Sequence, residues 1–389
     1  MFLSLNIIFW LLALLIIYPY LLHPLVLLLI HHRQKLHLKK DDNYLPTVSL
    51  IIAVYNEEKI LRQRLANLRL LDYPPDKLEV IFGLDGCSDA SAGVIRSANE
   101  PHTRLLEFPQ NRGKLATLTD CLQEANGEVI YFSDANTIQN PAAVREMVSP
   151  FADERVGVVC GRLDIVPAGS GTESRGENLY WRYEQKIKKL EGDMGVLVGA
   201  NGGNYGFRRK LFQKIPSGMI TEDFYLPMVI CSQGYACVYQ EKSVGVEETS
   251  QRMRDQMRRM FRIGVGNYQA LYKLCHLLSP RYGLLAYTFF GHKVLRWLAP
   301  WFLGLAFIVS LLLGFYYHNL LYQILFYIQV GFYLLSLLGG FLQLAKVRTG
   351  IFGLPFYFSA INFSLMIGFF RFLCRAQKPA WGKEGRADK

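Results

Sequence analysis

The stretch VSLIIAVYNE (48–57) decides the fold. Its first seven residues form a near-continuous apolar run, the mark of a strand buried on both faces. Polar Tyr55, Asn56 and Glu57 follow at once, and a helix is predicted over Glu57–Leu70, apolar at Ile60, Leu61, Leu65 and Leu68. The alternation continues downstream. LEVIFGLD (78–85), TRLLEF (103–108), EVIYFSDA (128–135) and VGVVCGRL (156–163) read as strands, Lys114–Ala125 and Pro141–Phe151 as helices. Strands separated by helices predict an α/β fold with a mostly parallel sheet and right-handed crossovers. Ligands of such sheets bind beyond the carboxyl ends of the strands. That rule selects Tyr55, Asn56, Glu57, Asp85, Asp134 and Asn136 as candidates.

Both flanks are apolar. Residues 1–30 carry no Lys, Arg, Asp or Glu, more than the roughly 20 residues needed to cross a bilayer. A signal peptide would begin with basic residues and end in a small-residue cleavage site, so a retained transmembrane helix is expected, kinked at Pro19 or Pro24. The linker 31–45 carries Arg33, Lys35, Lys39 and Lys40, and the positive-inside rule places it in the cytoplasm. Three further apolar stretches lie near 298–317, 320–344 and 351–373. Lys346 and Arg348 separate the last two. If the third spans, the basic tail 374–389 (with Arg375, Lys378, Lys383 and Arg386) ends outside, against the charge rule; if it is re-entrant or a short hairpin, the tail stays inside. Between the flanks, 46–250 reads as one cytosolic domain and 251–297 as amphipathic, interfacial helices.

Composition narrows the class. Of 389 residues, 51% are hydrophobic and 19% charged, which excludes intrinsic disorder. Cysteines 87, 121, 160, 231, 237, 275 and 374 show no CxxC and no zinc spacing, so reduced structural thiols are expected. The net charge of +11 fits a membrane surface or a phosphorylated substrate. Nucleic acid is a poor third, because the most basic stretch leads straight toward the membrane segments.

Asp134 and Asn136 stand two residues apart after a strand, so both side-chain oxygens can reach one hard divalent cation. Such a cation neutralises a leaving diphosphate. The same pair also suits a simple Asx turn. No GxxxxGK[ST] or GxGxxG is present, which disfavours P-loop and dinucleotide chemistry. The glycine-rich GVLVGANGGNYGFRRKLF (195–212) admits close backbone approach to a ligand or is a surface loop. In TEDF (221–224), Glu222 and Asp223 either complement a helix dipole or place a proton acceptor in the cleft. QRMRDQMRRMFRIG (251–264) interleaves Arg252, Arg254, Arg258, Arg259 and Arg262 with apolar residues; its arginines suit lipid phosphates or a diphosphate.

In order along the chain, AVYNE (53–57), LDGCSD (84–89), NRGK (111–114), SDAN (133–136), TED (221–223) and QMRRM (256–260) resemble the motifs of the family 2 glycosyltransferases. The closer likeness is to the membrane-integrated branch of hyaluronan, cellulose, chitin and poly-N-acetylglucosamine synthases, over about residues 46–270. The resemblance implies a GT-A fold and a nucleotide-diphosphate sugar donor. It carries donor contacts over to Ala53, Tyr55, Glu57, Asp85, Lys114, Asp134, Glu222, Gln256, Arg258, Arg259 and Arg262. It also implies Mg²⁺ or Mn²⁺ at Asp134 and Asn136, Asp223 as the base that deprotonates the acceptor, and an acceptor site at Asn201, Gly202 and Met260. Two departures stand out. Asn136 replaces the second aspartate of the DxD motif, and Met260 stands where processive synthases have Trp. The register is shared with a second QxxR at Gln251 and Arg254.

The expected function is inverting transfer from a UDP-sugar to a growing polysaccharide. The catalytic domain would face the cytoplasm of a plasma or inner membrane, and a homo-oligomer or an accessory export partner would complete any channel. The alternatives are single transfer to a lipid acceptor, of the polyprenyl phosphate or sphingolipid kind, and an inactive donor-binding scaffold.

Overall fold

The structure is a computed structural model. It describes residues 1–39, 41, 43–167, 175–249, 253–345, 347 and 349–374. Lys40, Gln251, Arg252, Lys346, Arg348, the tail arginines and lysines, and the side chain of Arg254 lie outside the described residues.

Eight strands form one sheet: β1 (Val48–Val54), β2 (Leu78–Asp85), β3 (Thr103–Phe108), β4 (Val129–Asp134), β5 (Ile138–Gln139), β6 (Val156–Pro167), β7 (Tyr205–Arg208) and β8 (Ala236–Thr249). Their order is β3-β2-β1-β4-β7-β6-β8-β5. The first half is the expected parallel sheet, with β1 between β2 and β4. The second half is mixed. β7 runs antiparallel to both β4 and β6, and β5 antiparallel to β8. β5, β7 and β8 were not among the expected strands.

Helices α3 (Glu58–Leu68), α4 (Ser91–Ala98), α5 (Lys114–Gln123) and α6 (Ala143–Val148) follow β1, β2, β3 and β5. Strand β1 shows why the chain packs this way. Val48, Leu50, Ile52 and Val54 join Leu61 and Leu65 on one face, while Ile51 and Ala53 join Leu118 and Cys121 on the other. A two-residue period sends alternate side chains to opposite faces, and each fully buried Val, Leu or Ile contributes about 1.5–3 kcal/mol.

Four helical stretches are long and apolar enough to cross a membrane: Phe2–Gln34, Leu284–Tyr316, Leu320–Leu344 and Gly350–Leu373. The first comprises α1 (Phe2–Ile17) and α2 (His23–Gln34), joined by a π turn at Tyr18–Leu22 that contains Pro19. The second begins at Leu284, earlier than the expected 298. Its early turns, α10 (Leu284–Thr288) and the π segment Phe289–Val294, give Leu285, Phe289 and Val294 to the core beneath the sheet, as does Trp297 at the start of α11 (Leu295–Leu311). There Trp297 meets Phe224 edge-on at 5.1 Å. Apolar segments at this depth read alike whether lipid or protein covers them, so the sequence boundary fell late.

Helix α13 (Gly353–Leu373) follows α12 (Leu320–Leu344) and is one continuous helix, not a hairpin. It runs beside α9 (Met253–Leu274), the arginine-rich helix. Phe261 meets Phe363, Tyr268 meets Phe369, and Tyr272 meets Phe372. Both partners advance together, so the helices are parallel. Gly264 and Gly368 lie at their closest approach, where a Cβ on Gly368 would sit 2.5 Å from the Gly264 carbonyl carbon. Helix α7 (Arg175–Asp193) packs against α13 as well.

A buried charge network joins α7 to the apolar stretch Leu284–Tyr316 and to α2. Glu184 of α7 receives His292 at 3.0 Å, Lys293 at 2.6 Å and Arg296 at 2.7 Å. Glu191, two turns on, receives His292 Nδ1 at 2.8 Å and lies 3.6 Å from His23. Burial opposes ionisation of both glutamates, but His292 and the neighbouring cations outweigh it and hold their carboxyls below the ordinary range. Removing one partner of such a network strands the others. Glu184→Ala is therefore expected to cost about 3–5 kcal/mol, read as a lower unfolding temperature of the protein in lipid nanodiscs; Glu184→Gln, which keeps the shape, should cost less.

Candidate functional site

The carboxyl ends of β1 and β2 are tied into one lip. Asn56 takes the left-handed conformation (φ 53°) and turns its side chain to the facing loop. Its Oδ1 accepts the Ser88 amide at 2.8 Å. The Glu57 amide donates to Ser91 Oγ at 3.0 Å and the Glu58 amide to Asp89 at 3.2 Å, while the Ala90 amide donates back to Glu58 at 2.9 Å. Tyr55 and Glu57 sit half-buried in this lip. Ala53 is buried in β1, paired with Gly83 and Asp134.

Asp85 works one step behind. It is fully buried, and its two oxygens accept the amides of Arg112 (2.9 Å) and Gly113 (2.7 Å). These bonds fix the loop that starts α5 and so aim Lys114, the first residue of that helix.

Lys114 is the hub. Its ammonium lies 2.7 Å from Asp134 Oδ1 at the end of β4 and 3.1 Å from Glu222 Oε1 at the start of α8 (Glu222–Ser232). Asp223 is beside them. A Cβ added at Gly202 would lie 2.9 Å from Asp223 Oδ2 and 3.5 Å from Lys114 Nζ, so the glycine leaves the space these groups use. The Ala200 amide holds the Asp223 carbonyl at 2.8 Å. Asn201 is buried, with Lys188 donating to its Oδ1 at 2.5 Å and its own amide donating to the Gly161 carbonyl at 2.8 Å. The structure thus brings Lys114, Asp134, Gly202, Glu222 and Asp223 together and commits the Asn201 side chain to support.

Electrostatics sort these acids into two kinds. Burial opposes ionisation of Asp134, yet Lys114, Arg259 and Arg262 hold its carboxyl below the ordinary value. Burial and the adjacent Glu222 push Asp223 up to about 6, against the pull of Lys114 and Lys188. One carboxyl stays ionised to bind; its neighbour is poised to exchange a proton near neutrality. Arg259, exposed, and Arg262, half-buried, act on Asp134 through their charge from α9. Arg258 is exposed on the same helix, and Gln256 and Met260 are half-buried.

Three residues were not singled out from the sequence. Arg64 is fully buried in α3 and donates to Asn67 Oδ1 (2.8 Å), the Thr137 carbonyl (2.6 Å), Ser133 Oγ (3.1 Å) and Gln139 Oε1 (3.1 Å). Burial lowers its pKa to about 10. It braces both sides of the turn that carries Asp134 and Asn136. Its signal was legible, an arginine three residues after Leu61 on the apolar face. Lys188 supports Asn201 from α7. Glu247 shares a buried face of β8 with Ser243 and Gly245 and accepts the Thr137 hydroxyl at 2.6 Å; burial and the charge of Asp134 raise its pKa.

Among the described residues, no three His, Cys, Asp or Glu side chains form a complete metal cage. The oxygen donors at the Asp134–Asn136 turn suit a hard cation shared with a ligand's own oxygens.

Comparison with known proteins agrees with this arrangement. Residues 49–216 match the model described as glycosyl transferase family 2. The probable glycosyltransferase YdaM of Bacillus subtilis is 25% identical over 245 residues, covering 60% of this chain and 58% of that protein. The poly-beta-1,6-N-acetyl-D-glucosamine synthase of Staphylococcus aureus is 26% identical over 215 residues, covering 54% and 52%. The aligned part thus spans little more than half the length of these curated relatives. Among solved structures, a mannosyltransferase from Pyrobaculum calidifontis in complex with GDP-Man and Mn²⁺ superimposes with a TM-score of 0.66 at 20% identity, over 94% of this chain and 100% of that one. That likeness confirms the GT-A-like fold.

The brace predicts its own test. Arg64→Met removes the donor from the Thr137 carbonyl, Ser133 Oγ and Gln139 Oε1, each at about 1–3 kcal/mol, while Asn67 keeps its bonds to the Gln139 backbone. It is expected to lower the unfolding temperature by several degrees and, although remote from the cleft, to weaken nucleotide binding measured by calorimetry.

Proposed function

The chain belongs to the family 2 glycosyltransferases through its domain at 49–216, and we propose that it transfers a sugar, with inversion, from a UDP-sugar to a growing polysaccharide at the cytoplasmic face of a membrane. The observation that carries this reading is Asp223, half-buried next to the Lys114–Asp134–Glu222 cluster at the carboxyl edge of the sheet.

In this reading Lys114, Arg259 and Arg262 gather around the donor's diphosphate, with the lip of Tyr55 and Glu57 beside the nucleoside. Mg²⁺ or Mn²⁺, held by Asp134 and Asn136, would supply further positive charge to the leaving diphosphate. Asp223 accepts the proton of the acceptor hydroxyl as that oxygen attacks the anomeric carbon. The attacking oxygen enters opposite the departing phosphate oxygen, so the configuration inverts. Gly202 keeps the acceptor side of Asp223 open, and Met260 offers an apolar surface there. The mannosyltransferase bound to GDP-Man and Mn²⁺ and the S. aureus synthase support a nucleotide-sugar donor and a divalent ion for this chain.

The membrane reading follows from the helices. Phe2–Gln34, Leu284–Tyr316, Leu320–Leu344 and Gly350–Leu373 are each long and apolar enough to cross, and α13 packs beside α9 and against α7. Met260 in place of a tryptophan favours one second reading, transfer of a single sugar to a lipid acceptor, because a thioether lacks the flat face on which a sugar stacks.

Protein in nanodiscs, given UDP- or GDP-sugars and Mn²⁺, is expected to release nucleotide with one of them. A ladder of radiolabelled product supports the polymer, and a single extractable glycolipid supports the second reading. Asp223→Asn should lower kcat by 10³-fold or more while leaving donor binding within a few-fold; turnover that survives it overturns Asp223 as the base. A base must be ionised to act, so with a carboxyl at about 6 kcat/KM should fall about tenfold per pH unit below 6 and level off above it.

A further inference from the structure

One carboxylate of the cleft takes no part in the reaction as written. Glu247 of β8 is 4% exposed. Its Oε1 accepts the Thr137 hydroxyl at 2.6 Å. Among the described residues its other oxygen has no hydrogen-bond partner, and no lysine, arginine or histidine pairs with either oxygen within 4.0 Å. The other deeply buried glutamates differ. Glu222 has Lys114, Glu184 has Lys293 and Arg296, and Glu191 has the His292 ring. A carboxylate taken out of water needs an opposite charge; Glu247 has none within 4.0 Å, the charges of Arg259 and Lys114 acting on it from farther away.

Its surroundings show where that charge belongs. Thr137 follows Asn136 directly, and its amide donates to the Asp134 carbonyl at 3.2 Å, so Glu247 abuts the turn that carries both Asp134 and Asn136. Gly203 faces the pair. A Cβ there would strike Glu247 Oε1 and come within 2.6 Å of Thr137 Oγ1. The chain has kept this corner clear of side chain. All three donors are hard oxygens, the set preferred by Mg²⁺ and Mn²⁺.

We propose that Glu247 is a metal ligand, supplying from β8 the carboxylate that Asn136 withholds. Asp134, Asn136 and Glu247 then offer a divalent cation two carboxylates and one amide oxygen, and the donor's phosphate oxygens complete its shell. The proposal rests on the donor reading above and extends it to a residue distant in sequence. It accounts for a family 2 domain that has lost one aspartate of its motif: the charge is provided from another strand of the same sheet.

The test uses the full chain in nanodiscs and titrates Mn²⁺ in the presence of UDP, with free Mn²⁺ read by electron paramagnetic resonance. Four proteins are compared: wild type, Glu247→Gln, Asp134→Asn and Glu241→Gln, the last a surface carboxylate on the same strand. The expected result is a Kd for Mn²⁺ raised tenfold or more in Glu247→Gln and Asp134→Asn and unchanged in Glu241→Gln. The metal-free unfolding temperature of Glu247→Gln should stay at or above wild type, because an uncompensated buried charge has been removed. If Asp134→Asn loses Mn²⁺ while Glu247→Gln binds it like wild type, Glu247 is not a ligand and the donor reading stands. A Glu247→Gln protein that keeps Mn²⁺ affinity but shifts the pH profile of kcat makes Glu247 a proton carrier and overturns the proposal. If wild type binds no Mn²⁺ with UDP, the metal reading of the Asp134–Asn136 turn fails together with it.

Discussion

A buried charge must find an opposite charge, and much of this molecule is arranged around that constraint. The junction between α7 and the apolar helices satisfies it internally. Two glutamates of α7 are met by Lys293, Arg296 and His292, so the network is complete without any ligand. The cleft does not satisfy it. Asp134, Glu222, Asp223 and Glu247 converge on a region where Lys114 is the cation in direct contact. The same physics that makes the first network a rigid joint makes the second a site that awaits positive charge.

Helix α7 connects the two regions. Glu184, Lys188 and Glu191 fall on one face, at spacings of four and three residues. Glu184 and Glu191 hold the apolar helices, and Lys188 between them holds Asn201, next to the glycine that shapes the space around Asp223. A single helix thus ties the apolar helices to the loop beside Asp223.

How much of this could be read in advance depended on the kind of signal. β1 to β4 were legible because parallel strands covered on both faces are continuous apolar runs, and the residues at their ends followed from the sheet rule. β7 and β8 were not, since β7 is four residues long within a glycine-rich stretch and β8 mixes charged with apolar residues. Asp134, Glu222 and Asp223 were found as motif members. Asp85 was found too, while its clasp on the Arg112 and Gly113 amides, which spacing does not show, came from the structure. Glu247 escaped notice because two consecutive glutamates ordinarily mark solvent; only the pairing of β8 with β6 and β5 turns one of them inward. Arg64 was passed over because an arginine in a helix is read as surface by default, although its place three residues after Leu61 put it on the apolar face.

The close approach of Gly264 to Gly368 has a mechanical consequence. Helix α9 carries Arg259 and Arg262, whose charges act on Asp134, and is clamped along its length to α13, with no side chain between the two backbones at the crossing. A clamp without a cushion transmits displacement with little loss. A displacement of α13 therefore bears directly on the position of Arg259 and Arg262, and the two helices move as one body.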